Sequence, residues 1–208
     1  MQINYFIGKK TTQLYAVKRY GDELKKELEK VCDLRIIEAK PLLKIGFWDI
    51  ISFPLAIQRK KDNLLHIITQ GDAHVLNFIY PKKTIVTCHD LIPLTQKGYS
   101  LVALLKFKLC CRGLQKATHI IAVSEYTKRQ LQKYLNVPQE KITVTYLGVD
   151  HTRFRPQTKQ QQETIYKKYQ LDKKKIYLLY VGNEEPRMNV DTQIKAIKKV
   201  KEKIPHIQ

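Results

Sequence analysis

Apolar and polar positions follow two alternating rhythms along the chain. Short runs of Ile, Leu, Val and Phe, bounded by turn residues, predict buried strands at 3–8, 33–38, 64–69, 84–87, 119–123, 142–145 and 176–181. Between them, apolar residues recur at helical spacing: Tyr20, Leu24, Leu28 and Val31; Thr127, Leu131, Tyr134 and Leu135; Val190, Ile194, Ile197 and Val200. Gln70-Gly71-Asp72 reads as a turn, and 73–80 fits a short helix. Ser124 stands at an N-cap position, and Glu125 suits the positive end of the helix that follows. Val137-Pro138 ends that helix. Asn189 can cap the last helix, and Pro205 closes it. Strand, helix, strand with short joins is the βαβ pattern of an α/β protein. The pattern predicts a Rossmann-like open parallel sheet with helices on both faces.

Three stretches depart from this rhythm. Residues 41–57 hold the single tryptophan, Trp48, among broken apolar runs, with Gln58-Arg59-Lys60-Lys61 behind them. They suit a core helix with loops, or a surface touching a membrane at headgroup level. Residues 97–116 carry Lys97, Lys106, Lys108, Arg112 and Lys116 with no acid, beside five leucines and Phe107. They suit a helix packed on the sheet, or an amphipathic helix drawn to anionic lipid. Residues 151–163 are polar and Gln-rich, as an interdomain linker is.

Composition adds an electrostatic constraint. Thirty-eight Lys and Arg against 19 Asp and Glu give a net charge of +19, a field that attracts nucleic acid, anionic lipid or phosphorylated substrates without choosing among them. Cys32, Cys88, Cys110 and Cys111 form no CxxC pair and no metal-ligand spacing, so they read as reduced thiols in a cytoplasmic protein. The N-terminus lacks the pattern of a signal peptide, and no apolar run approaches the roughly 20 residues of a membrane span. No GxGxxG turn follows a strand, which argues against a dinucleotide-dependent dehydrogenase.

The polar pair His89-Asp90 follows the strand at 84–87 after one residue, Cys88, with Pro93 closing the turn. Ligands of open α/β sheets sit beyond the carboxyl ends of strands, so His89 stands where a working residue belongs. Asp90 can orient His89 or anchor the turn. His66, His74, His119, His151 and His206 suit structural or surface roles.

Several segments together resemble one family. They are Thr87-Cys88-His89-Asp90-Leu91-Ile92-Pro93; Ala117 through Thr127; Val137-Pro138-Gln139-Glu140-Lys141-Ile142; Leu147-Gly148-Val149-Asp150 with Phe154-Arg155-Pro156; and Tyr180-Val181-Gly182 with Pro186-Arg187 and Asn189. In order and in kind they resemble the group 1 (family 4) retaining glycosyltransferases. That resemblance implies a GT-B fold, two Rossmann-like domains with the acceptor on the first and the nucleotide-sugar donor on the second. It implies sugar transfer to a glycan or lipid-linked acceptor, without a metal or other cofactor, in the cytoplasm or peripherally at the inner membrane face. It maps onto 1–155 as the acceptor-side domain, 156–175 as linker and helix, and 176–208 as the first strand-helix unit of an incomplete donor domain.

The resemblance gives His89 the catalytic place. It gives Gly182, Asn183 and Arg187 contacts to the donor; Asp90 can support His89, and Lys9 and Lys10 can compensate where the family's cations are missing. Arg187 precedes a helix start, where a fixed cation and the helix N-terminus both favour the leaving diphosphate. The sequence departs from the family at three points. Lys9-Lys10-Thr11-Thr12 follows Gly8 in place of a glycine-rich turn. Asn183 and Met188 replace basic residues. The family's paired glutamates fall beyond position 208. The expectation is therefore an incomplete enzyme with little activity alone. The alternative is a non-catalytic basic module binding anionic lipid or nucleic acid; no sequence-specific nucleic-acid motif is present.

Overall fold

The computed structural model describes residues 2–8, 15–39, 54, 64–182, 185, 188–204 and 206–207. The Trp48 stretch, apart from Pro54, lies outside them, as do Lys9 and Lys10. The chain divides into two units, Met1–Gly148 and Val149–Gln208.

In the first unit, six strands form one sheet: β1 (Gln2–Gly8), β2 (Asp33–Ala39), β3 (Leu64–Ile67), β4 (Thr84–Cys88), β5 (His119–Ala122) and β6 (Ile142–Val144). Their order is β2-β1-β3-β4-β5-β6, and every pairing is parallel. A parallel sheet needs crossovers, and these cover its faces, so inner-strand residues are buried on both sides, the polar Asn4, His66 and Thr87 among them. Helix α1 (Tyr15–Leu28) follows β1. A 3-10 helix (Gln70–Asn77) follows β3. The short α2 (Ile92–Thr95) and long α3 (Leu101–Lys116) follow β4, and α4 (Glu125–Leu135) follows β5.

One sheet face buries Phe6, Leu65, Ile67, Val86, Cys88, Ile120 and Ala122 against Val75, Leu114 and Leu131 from the covering helices. Each fully buried aliphatic or aromatic side chain there contributes about 1.5–3 kcal/mol. Strand alternation sends Tyr5, His66 and Thr87 to the opposite face. There the Tyr5 hydroxyl donates to the Gly21 carbonyl of α1 at 2.8 Å. Glycine at 113 is a packing requirement: a β-carbon there would lie 1.8 Å from the Ala73 carbonyl oxygen, so only glycine lets α3 approach the 3-10 helix this closely. The Asn77 amide donates across the same contact to the Leu109 carbonyl at 2.8 Å.

Helix boundaries follow local chemistry. Ser124 caps α4 by accepting from the Thr127 N–H at 3.1 Å. Asn136, at φ 50°, turns the chain out of that helix before Val137-Pro138. The turn expected at 70–72 is absorbed into the 3-10 helix, which begins at Gln70 behind an N-cap at Thr69. Val31 lies past the end of α1 and is 79% exposed. All four cysteines are free thiols. No helix among the described residues is long and apolar enough to cross a membrane.

The second unit contains α5 (Lys159–Lys168) and α6 (Val190–Lys203). The Gln-rich stretch read as linker supplies the start of α5, because Thr158 and Gln161 form a capping box ahead of good helix formers. The strand expected at 176–181 is not formed. Only Ile176 pairs, in a parallel bridge with Ile207, while Leu179 and Val181 are 88% and 84% exposed. An apolar run becomes a strand when neighbouring strands take its backbone groups, and the described residues of this unit provide one bridge. Asn189 does occupy the cap position of α6, but its Oδ1 accepts from the Thr192 hydroxyl at 2.7 Å instead of a backbone N–H.

Candidate functional site at the carboxyl end of the sheet

The strand order turns back at β1, so the switch point where open α/β sheets bind ligands lies between the carboxyl ends of β1 and β3, with β4 the next strand over. His89 leaves the carboxyl end of β4 and is clamped from four segments. Its N–H donates to Gln70 Oε1 at 2.9 Å, and its carbonyl accepts from the Thr127 hydroxyl at 3.2 Å. Its Nε2 lies 3.0 Å from the Ile68 carbonyl. Its ring meets the Tyr20 ring edge to face, with centroids 5.0 Å apart and planes at 88°.

A carbonyl only accepts, so Nε2 carries the proton and the neutral ring's lone pair is on Nδ1. Burial pushes the imidazole pKa below its ordinary value, and the Ile68 carbonyl and Asp90 charge offset part of that shift. The ring is therefore neutral near pH 7, a hydrogen-bond acceptor at Nδ1 and not a fixed cation. Asp90 turns away to the backbone: its Oδ1 accepts from the Ile92 N–H at 3.1 Å, which holds the turn into α2.

Behind His89 runs a buried polar line. The Tyr20 hydroxyl is 3.1 Å from Thr87 Oγ1, which is 3.0 Å from His66 Nε2. The His66 ring meets Tyr5 edge to face at 5.6 Å. Burial lowers the His66 pKa to about 4, so it too is neutral. At the end of β1, the Gly8 N–H donates to Asp72 Oδ2 at 3.2 Å. A β-carbon at position 8 would fall 2.5 Å from that oxygen, so glycine is what admits the carboxylate.

Of the residues singled out from sequence, His89 and Asp90 stand together at this edge. Gly182 lies in the second unit, exposed, with the Tyr180 hydroxyl 2.5 Å from where a β-carbon would be. Lys9, Lys10, Asn183 and Arg187 lie outside the described residues. Sequence reasoning missed Tyr20, Gln70, Thr87 and Thr127. A signal existed for Thr87: a threonine inside a buried strand needs a partner, as does the histidine of the neighbouring strand. Among the described residues, no three His, Cys, Asp or Glu side chains form a metal-ligand group.

Comparison with known proteins gives three findings. A model of Glycosyltransferase Family 4 matches residues 14–153. The O-antigen chain mannosyltransferase B of Escherichia coli is 27% identical over 128 residues, which cover 59% of this chain and 33% of that protein. The chain thus spans about a third of the length of that curated relative. The crystal structure of a glycosyltransferase from Rickettsia africae ESF-5 superposes with a TM-score of 0.51 at 16% identity, covering 100% of this chain and 67% of that one, a likeness of fold.

Proposed function

The chain belongs to Glycosyltransferase Family 4, and from that premise we propose that it forms the acceptor side of an enzyme moving a sugar from a nucleoside-diphosphate donor to a glycan or lipid-linked acceptor, with retention at the anomeric carbon. In this reading residues 1–155 face the acceptor, 156–175 connect, and 176–208 begin the donor-binding half. The observation that carries the reading is His89, held neutral at the carboxyl edge with Nε2–H on the Ile68 carbonyl. Such a ring receives a hydroxyl proton at Nδ1 and so orients the donor sugar or the acceptor hydroxyl; it adds no charge to the departing diphosphate. In this proposal that charge falls to Arg187, with Gly182 and Asn183 as further donor contacts and Lys9 and Lys10 as basic residues that compensate for the family's missing cations. Asp90 supports the loop through its turn.

The chain's share of its relative's length supports an enzyme that needs further donor-binding residues. Alone, it is expected to bind donor weakly and to turn over near background. The relative's name makes a nucleoside-diphosphate mannose the first donor to assay. Robust transfer by this chain alone would overturn the incompleteness. In a protein that also carries the donor-binding residues, His89→Ala is expected to lower transfer about tenfold or more with the fold retained. Unchanged transfer would remove His89 from the mechanism.

For the acceptor's setting, α3 supplies the supporting observation. Leu101, Val102 and Leu105 are exposed at its N-terminal half, and Lys97, Lys106, Lys108, Arg112 and Lys116 are spread along the same segment without an acid. That combination supports peripheral docking on an anionic membrane surface, at the cytoplasmic side, where lipid-linked acceptors would be presented.

A further inference from the structure

Resting on the reading of His89 as the working imidazole, we propose that Tyr20 and Gln70 are its positioning residues: Tyr20 fixes the ring from α1, and Gln70 fixes the backbone from the 3-10 helix. Neither residue belongs to the segments that carry the family pattern.

The need for them is conformational. The terminal torsion of a histidine is broad and roughly two-fold. A half-turn of the ring replaces Nε2–H with carbon at the Ile68 carbonyl and exchanges the acceptor edge. One hydrogen bond from a side chain in a connecting segment is a weak defence against that turn. Tyr20 adds a second, since its ring stands edge to face with the imidazole at 5.0 Å. Tyr20 is itself held at both ends, by the helix backbone and by its hydroxyl on Thr87 Oγ1 at 3.1 Å. Thr87 has one proton to give, and its oxygen also meets His66 Nε2 at 3.0 Å. The line Tyr20–Thr87–His66 therefore runs in one direction at a time, and each hydroxyl orientation depends on the next.

Gln70 acts on the other torsions. Its Oε1 receives the His89 N–H at 2.9 Å, and Gln70 is only 8% exposed. A buried carboxamide aimed at one backbone N–H fixes where the side chain of that residue begins. Among the described residues, the groups around the imidazole are Tyr20 from α1, the Ile68 carbonyl and Gln70 from the segment after β3, Thr127 from α4, and Asp90 beside it. Asp90 is the acid in this set, and Tyr20 stays protonated because burial raises its pKa.

The test uses the chain itself, labelled with 15N-histidine, and needs no activity. In the unmodified chain His89 is expected as the Nε2–H tautomer, titrating below the ordinary value near 6.5. Tyr20→Leu is expected to raise the midpoint by about half a pH unit or more and to populate the Nδ1–H tautomer. Tyr20→Phe, which keeps the ring and loses only its tether to Thr87, is expected to give a smaller change of the same sign. Gln70→Leu is expected to mix the tautomers, and Gln70→Glu, which restores the acceptor oxygen, to recover the Nε2–H form. Should Tyr20→Leu fail to fold by circular dichroism, Tyr20→Phe carries the test. Unchanged His89 tautomer and midpoint in folded Tyr20→Phe and Gln70→Leu chains would overturn the proposal. Failure of the functional reading shows elsewhere, as unchanged transfer in His89→Ala, so the two are told apart.

Discussion

Residues 84–88 and 176–181 look alike as sequence, Thr-Ile-Val-Thr-Cys beside Ile-Tyr-Leu-Leu-Tyr-Val, and their fates differ. The first is β4, paired on both sides, with Val86 and Cys88 fully buried. The second has one bridge at Ile176 and leaves Leu178, Leu179, Tyr180 and Val181 exposed. Side-chain pattern is thus a permission for a strand; the backbone partners decide. The same contrast separates the units. Among the described residues, twenty core residues of the first unit form one buried cluster, whereas Ile207 is the only buried residue of the second.

The sharpest way to break that contrast is a matched pair of truncations. Ile67→Ala empties a fully buried site of β3 and is expected to cost about 3–4 kcal/mol in urea denaturation. Leu179→Ala is expected to change stability by less than about 0.5 kcal/mol. Similar costs at both positions would show that the apolar run at 176–181 is packed in solution.

A smaller effect divides the units by pH. His66 is neutral and buried, with a folded pKa of about 4 against about 6.5 unfolded. The unfolded chain therefore binds the extra proton first, so stability is full above about 6.5 and falls as pH drops toward 4. By pH 5 the expected loss from this residue is about 2 kcal/mol. His89 adds to it in the same direction, since burial also lowers its pKa. Chemical denaturation at pH 7 and pH 5 measures the loss, and His66→Gln should reduce it. A pH-independent first unit would mean that His66 is hydrated.

Smallest is the surface effect. Lys106→Glu on α3 is expected to weaken binding to phosphatidylserine vesicles by about tenfold in low salt, with little effect at high salt. Lys195→Glu on α6 of the second unit should weaken it less. Equal losses would assign the attraction to net charge and not to α3.

Much of the first unit was legible because its signals are local. Ser124, the apolar runs and the positions of Leu131 and Leu135 needed only their neighbours, and His89 was marked by standing just after a strand. What surrounds His89 was illegible because it is assembled from afar. Tyr20 looked like one more apolar helix position, yet its hydroxyl meets Thr87, 67 residues away in sequence. Gln70 looked like part of a turn, and its carboxamide holds a backbone N–H across the sheet edge. Asp90 had two readings from sequence, orienting His89 or anchoring the turn, and in the structure its Oδ1 accepts from the Ile92 N–H. The strand at 176–181 was misread because hydrophobic pattern reports what a run could bury and is silent on who pairs with it.

The parallel sheet also sets a tempo. Not one of its five pairings can start as a hairpin: Ile3 must find Leu64, Ile85 must find His119, and each waits on the chain between. Such a topology pays loop-closure entropy before any ladder rewards it, so the sheet assembles slowly. During that interval the Ile and Val edges of β3, β4 and β5 are open to other chains, and a newly made molecule is most vulnerable to aggregation before β4 is enclosed between its neighbours.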